Sequence, residues 1–175
     1  MSSLKIIVAG PQGTGKTVIS NFLAGQSDSL EVNGLEATEG VRILEVEKNL
    51  PGSSNSSIVG VELWDASGDH KYESCWRAVM SEANGVILVY NPDAPSQDQQ
   101  LHDWFDFFVK KNGLSDQQCL IFAHRTKGNN SADRFRPPAL FSRVSAALTT
   151  TASGTDMKGL FDNFVKEIHN IRRRS

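Results

Sequence analysis

A chain of 175 residues with 18 basic and 20 acidic side chains, 39% hydrophobic and 22% charged, has the makeup of one soluble globular domain over residues 1–175. The net charge of −2 excludes the dominant basic field that draws nucleic acid or an anionic membrane. Cys75 and Cys119 form no CxxC pair, so the expectation is a reducing compartment without a disulfide framework; no targeting segment is expected, and no apolar run reaches the ~20 residues that cross a bilayer.

Taken in chain order, apolar runs rich in β-branched residues alternate with segments of helical period, the pattern of βαβ units and a mostly parallel sheet. Strands are predicted at Leu4–Ala9, Val41–Glu47, Ile58–Asp65, Gly85–Tyr90, Cys119–His124 and Val144–Thr149. Helices are predicted at about Lys16–Gln26, Tyr72–Glu82, Gln97–Lys111 and Met157–Arg172. The turn-forming stretch from Asn49 through Pro51 and Gly52 to Ser57 reads as a hairpin connection, which makes the second and third strands antiparallel neighbours. Arg136-Pro137-Pro138 forbids a long helix between Gly128 and Ser142. The expected fold is α/β and doubly wound: about six strands, one of them an antiparallel edge, with helices on both faces.

The first connection carries the chemistry. Gly10-Pro11-Gln12-Gly13-Thr14-Gly15-Lys16-Thr17 fits G-x-x-x-x-G-K-S/T between a buried strand and an amphipathic helix. Its glycines let successive N–H groups turn toward anionic oxygens, and the helix start adds about half a positive charge. Lys16 supplies a full charge to terminal phosphates, and the Thr17 hydroxyl can ligate Mg²⁺. Asp65-Ala66-Ser67-Gly68 gives D-x-x-G at the end of the third strand, where Asp65 can hold a metal-bound water and Gly68 can bring its N–H to a γ-phosphate. Thr38, in Thr38-Glu39-Gly40, can place its hydroxyl on Mg²⁺ and its N–H on the γ-phosphate, or simply begin a strand.

Together these residues resemble the Ras/Rab superfamily of small GTPases from Leu4 to about Arg172. The strings Gly40-Val41-Arg42-Ile43-Leu44-Glu45, Glu62-Leu63-Trp64-Asp65, Glu73-Ser74-Cys75-Trp76 and Tyr90-Asn91-Pro92-Asp93-Ala94-Pro95-Ser96 are similar to the Rab-like 5 subfamily, the small-GTPase subunit of intraflagellar transport complex B. The resemblance implies GTP or GDP with Mg²⁺, held by Gln12 to Thr17, Thr38, Asp65 and Gly68. It also implies coiled-coil partners in that complex, and a place in the cytoplasm and the cilium or flagellum. An alternative stays open: a pseudo-GTPase structural subunit whose nucleotide state does not regulate its partners. A small-molecule kinase would need lid arginines, and Gly128–Arg136 offers only Arg134 and Arg136.

Departures from the family pattern shape the expected activity. Asp69 follows Gly68 where active members carry a water-orienting Gln. Beside a γ-phosphate its carboxylate would repel and donate nothing; turned to solvent or to Lys71 it would do neither. Catalysis is therefore assigned to Lys16 with Asp69 as an atypical replacement, and slow hydrolysis is expected. Gln12 replaces a small residue and can crowd an activating arginine. At the base-reading end, His124-Arg125-Thr126-Lys127 stands where the family has N-K-x-D, so a cation replaces the acceptor for guanine. Arg125 can still stack on a purine, His124 can tie the phosphate loop to this loop or be only a satisfied strand-end histidine, and a backbone N–H near Thr151 and Ala152 can read the base. Weakened affinity is expected.

No Cys stands near the Arg172-Arg173-Arg174-Ser175 end to accept a prenyl group, and residue 2 is Ser, so protein contacts rather than lipid are expected to recruit the chain. Trp76 is the interface candidate, Phe105 and Phe108 belong to packing, and both cysteines read as small buried hydrophobes. His70, His102 and His169 are too scattered to form a metal set.

Overall fold

Alternation along the first strand decides which face each helix covers. In β1 (Leu4–Ala9), Ile6 and Val8 point to one face while Ile7 and Ala9 point to the other, and all four are fully buried. A strand buried on both faces needs a helical layer on each side. In the computed structural model, which describes residues 3–31, 34, 36–50, 57–126, 137–151 and 156–174, those layers are present.

The sheet contains β1, β2 (Val41–Leu50), β3 (Ser57–Ala66), β4 (Gly85–Tyr90), β5 (Cys119–Arg125) and β6 (Ser145–Thr150) in the order β2-β3-β1-β4-β5-β6. All neighbours are parallel except β2 and β3, as the hairpin reading predicts. The connection at 51–56 lies outside the described residues, as does the polar stretch 127–136; Ala139–Phe141 is a single 3₁₀ turn.

One face of the sheet is covered by α1 (Lys16–Leu23) and α4 (Met157–Arg172), which pack Val18, Ile19, Phe22, Phe161, Phe164 and Val165 against Ile6, Val8 and Leu63. The other is covered by α2 (Glu73–Met80) and α3 (Gln97–Phe105), through Trp76, Val79, Leu101, Trp104 and Phe105 against Ile7, Val86 and Leu88. Each large apolar side chain so enclosed is worth about 1.5–3 kcal/mol over an exposed one.

Several expectations are corrected. β2 runs three residues beyond Glu47 because β3 pairs with it along its full length, Leu50 opposite Ser57. The first helix stops at Leu23 rather than Gln26, closed by the Gln26 N–H donating to the Asn21 carbonyl. The third does not stay α-helical to Lys111: a π-helical turn takes over at Asp106–Lys110, burying Phe108 and Val109 and stacking Phe108 on Trp104 with centroids 5.3 Å apart. Trp76 is not an exposed interface residue; it is 5% exposed and lies 4.6 Å from Trp104, centroid to centroid. Cys75 is exposed rather than buried, because the next residue along α2 takes the core-facing position; Cys119 is buried. Among the described residues, no helix is long and apolar enough to cross a membrane.

Candidate nucleotide site

The carboxyl ends of β1 and β3 open onto one edge of the sheet, and the loops leaving them form a cleft of about 480 Å³. Gln12, Gly13, Gly15, Lys16, Thr17, Thr38 and Gly68 all line it, so most of the sequence-derived site gathers in one place. Thr126, Glu36 and Ala37, which the sequence reading passed over, line it too.

Local chemistry shapes the phosphate loop. The Thr14 hydroxyl donates to the Pro11 carbonyl at 3.0 Å and folds the loop back on itself. Gly15 holds φ at 89°, and a Cβ there would come within 2.6 Å of the His124 ring. Only glycine satisfies both the left-handed backbone and that close approach. Across the cleft Gly68 presses on the same loop: a Cβ would meet the Gly10 carbonyl oxygen at 2.5 Å and the Gln12 nitrogen at 2.6 Å. The two loops are thus in backbone contact.

Lys16 is 6% exposed and its Nζ donates to the Pro11 carbonyl at 2.7 Å. Burial lowers its pKa to about 8, a shift the nearby Asp65 carboxylate opposes. A cation held this way, poorly solvated and satisfied by a neutral carbonyl, gains by meeting an anion.

Thr17, Thr38 and Asp65 converge beside it. The Thr17 and Thr38 hydroxyl oxygens lie 2.7 Å apart, and both donate to Asp65 Oδ2, at 2.9 and 3.3 Å. Asp65 is fully buried and its Oδ1 has no hydrogen-bond partner. Burial raises its pKa, opposed first by the Thr17 hydroxyl, then by Arg42, Lys16 and Thr38. Two hydroxyls and a buried carboxylate with a spare oxygen form a hard-oxygen donor set, which suits Mg²⁺. The loop that carries Thr38 is docked here: the Ser67 N–H donates to the Gly40 carbonyl at 2.8 Å.

Asp69 is turned to Lys71, one of the two placements that the sequence leaves open for it. Its Oδ1 accepts from the Lys71 N–H at 3.0 Å, capping the 3₁₀ turn His70–Tyr72, and its Oδ2 lies 3.3 Å from Lys71 Nζ.

The base-reading end is split. His124 is fully buried, and its Nδ1 lies 3.0 Å from Thr149 Oγ1, its ladder partner across β5 and β6. Its Nε2 has no hydrogen-bond partner, and its ring packs against Gly15, so it ties strand to phosphate loop. Arg125 is held by Asp93, with Nε 2.9 Å from Oδ2, and is therefore not a loose planar cation. Thr151 follows the end of β6, whose Thr150 lies opposite Arg125. Lys127 and Ala152 lie outside the described residues.

Comparison with known proteins agrees with this geometry. A family model described as "Ras of Complex, Roc, domain of DAPkinase" matches residues 5–127. The intraflagellar transport protein 22 homologue of Bos taurus is 44% identical over 98% of this chain and 91% of its own length. A GTP-bound crystal structure of T. brucei IFT22/74/81 superposes with a TM-score of 0.78 at 27% identity, covering 99% of both chains. A GDP-bound T. brucei IFT22 structure gives 0.73 at 28% identity, covering 98% of this chain and 99% of the other. Phosphate loop, docked Thr38 and D-x-x-G aspartate on this sheet, with those relatives, place the chain among the Ras-like GTPases, and within them it belongs to the intraflagellar transport protein 22 family.

Proposed function

We propose that this chain is a Rab-like, guanine-nucleotide-binding subunit of an intraflagellar transport complex, working in the assembly of cilia or flagella. The observation that carries the reading is the convergence of Lys16, Thr17, Thr38 and Asp65 around one cleft at the phosphate loop. The T. brucei relative whose structure is titled IFT22/74/81 supports partners of the same kind here, coiled-coil proteins of complex B. Its GTP- and GDP-bound states support both nucleotides as ligands.

In this reading the loop amides from Gly13 to Thr17 and the Lys16 ammonium bind the phosphate tail. Lys16 Nζ exchanges the Pro11 carbonyl for phosphate oxygens, a charge-assisted and therefore stronger contact. Thr17 and Thr38 would ligate Mg²⁺, with Asp65 acting through a metal-bound water; the ion supplies neutralisation of charge on the β- and γ-phosphates. Gly68 offers its N–H to the γ-phosphate at a point where any side chain would strike the loop.

Turnover is slow because Asp69 supplies neither an amide donor nor a free base near the cleft: its carboxylate is committed to Lys71. Base selectivity is relaxed, since Lys127 stands where the family carries the guanine-reading aspartate. Titration of purified chain with GTP, GDP and ATP tests the reading. GTP and GDP are expected to bind, ATP to compete more weakly, and Lys16→Ala to weaken GTP by about tenfold or more, the loss of a charge-assisted contact. Absence of nucleotide uptake by the unaltered chain overturns it.

A further inference from the structure

Asp65 has a third partner besides the two threonines. Arg42 lies directly opposite it in the antiparallel ladder of β2 and β3, and its Nη2 reaches to 3.3 Å from Asp65 Oδ2. That is the oxygen which both threonine hydroxyls also bond. The same Nη2 donates to Asn21 Oδ1, on α1, at 2.8 Å, so the guanidinium is anchored from two elements. Its Nε is buried without a partner, while the side chain as a whole is 37% exposed, so the guanidinium sits at the rim of the buried carboxylate.

The geometry points to Arg42 as a built-in cation that competes with Mg²⁺ for the Asp65 carboxylate and sets a low metal affinity at this site. The inference rests on the nucleotide-binding reading above and concerns how that site is regulated. Asp65 is fully buried, so its charge demands a nearby counter-charge. Arg42 provides one, on the same Oδ2 that the Thr17 and Thr38 hydroxyls bond. A divalent ion entering beside those hydroxyls meets a fixed positive charge a few ångströms away and must displace it or bear its repulsion. Arginine suits this task because its planar head can hold two acceptors at once. Arg42 is thus a positioning residue: it acts on the metal through Asp65.

The test uses the full chain loaded with a fluorescent GDP analogue. The rate of nucleotide release is followed over a range of free Mg²⁺, and the midpoint of metal protection is read. Arg42→Gln, which keeps a donor for Asn21 but removes the charge, is expected to lower that midpoint by about tenfold. Arg42→Lys, which restores the charge, is expected to keep it within about twofold, a pattern that loss of a mere packing contact would not produce. Asn21→Ala, which frees one anchor of the guanidinium, should shift the midpoint in the same direction by less, and it decides the matter if Arg42→Gln does not fold. A midpoint that is unchanged or raised in the charge-removing variant, or a release rate indifferent to Mg²⁺ in the unaltered chain, overturns the inference while leaving nucleotide binding intact. Failure of the unaltered chain to take up the analogue overturns the function proposed above, and this inference with it.

Discussion

His124 and Thr149 face each other across β5 and β6, and the imidazole Nδ1 lies 3.0 Å from the hydroxyl. The ring is fully buried, and burial lowers its pKa to about 4 from an ordinary 6.5. An unfolded chain takes up the proton as pH falls through the ordinary value, whereas the folded chain resists it until about 4. The unfolded state therefore binds more protons across that window, and stability falls as the solution is acidified. The loss should approach about 3 kcal/mol at the acid end, at about 1.4 kcal/mol per unit. Urea midpoints at a series of pH values read it directly. His124→Asn, which keeps a polar partner for Thr149 but does not titrate in this range, should flatten that part of the profile.

Gly68 permits the contact between the D-x-x-G loop and the phosphate loop. A methyl group there would sit 2.5 Å from the Gly10 carbonyl oxygen, 2.6 Å from the Gln12 nitrogen and 2.6 Å from the Pro11 carbonyl carbon, all backbone atoms that cannot rotate aside. Gly68→Ala must therefore push the two loops apart, at about 1–3 kcal/mol of stability. Nucleotide affinity should fall by about tenfold or more, since the amides of the phosphate loop lose their positions. Calorimetric titration with GTP, run beside a thermal melt, separates the two effects. An alanine variant that binds GTP as well as the parent would show that the loop approach is dispensable.

How far this site could be read from sequence depends on whether its parts are local. The phosphate loop was legible because its chemistry is confined to Gly10–Thr17 between a strand and a helix, and Asp65 and Gly68 because they end a recognisable strand. Arg42 was not: its meaning depends on the ladder register that sets it opposite Asp65, and a shift of one residue would turn it to the other face. The Asp93 contact that holds Arg125 was hidden for the same reason, because it joins the loop after β4 to the end of β5. In the fold, the mostly parallel sheet followed from the alternation of elements and the antiparallel β2–β3 pair from the turn-forming stretch between them, whereas the strand order did not follow from either. Nor did the π-helical turn, since helical period alone does not show where Phe108 and Val109 join Trp104 and Phe105 in the core. Cys75 and Trp76 were misjudged together: they are adjacent on α2, and the helix can turn only one of them inward.

That correction has a measurable consequence for the thiols. Cys75 is exposed, whereas Cys119 is 1% exposed and burial pushes its thiol well above the ordinary range. A maleimide should modify Cys75 in the native chain and reach Cys119 only after unfolding. Intact-mass analysis before and after urea treatment counts the adducts. Cys75→Ser should abolish native labelling with little change in stability, because surface substitutions fall within about 0.5 kcal/mol. Native labelling at Cys119 would contradict the packing of β5.

Hydrolysis depends on where the side chain after Gly68 can go. Asp69 caps the turn at His70–Tyr72 through the Lys71 N–H and pairs with Lys71 Nζ, so its carboxylate is held away from the cleft by two contacts with one residue. Asp69→Gln replaces the carboxylate with a longer amide that no longer attracts the ammonium and can reach a water near the γ-phosphate. Asp69→Asn also removes the charge but keeps a side chain short enough to cap the turn. Single-turnover phosphate release from GTP should therefore rise by about tenfold or more in the glutamine variant, as expected for a group that orients the attacking water, and stay near the parent rate in the asparagine variant. Equal acceleration in both would assign slow turnover to charge repulsion instead of a missing amide. No acceleration in either would move its cause elsewhere, to the way Thr38 and Gln12 shape access to the phosphate.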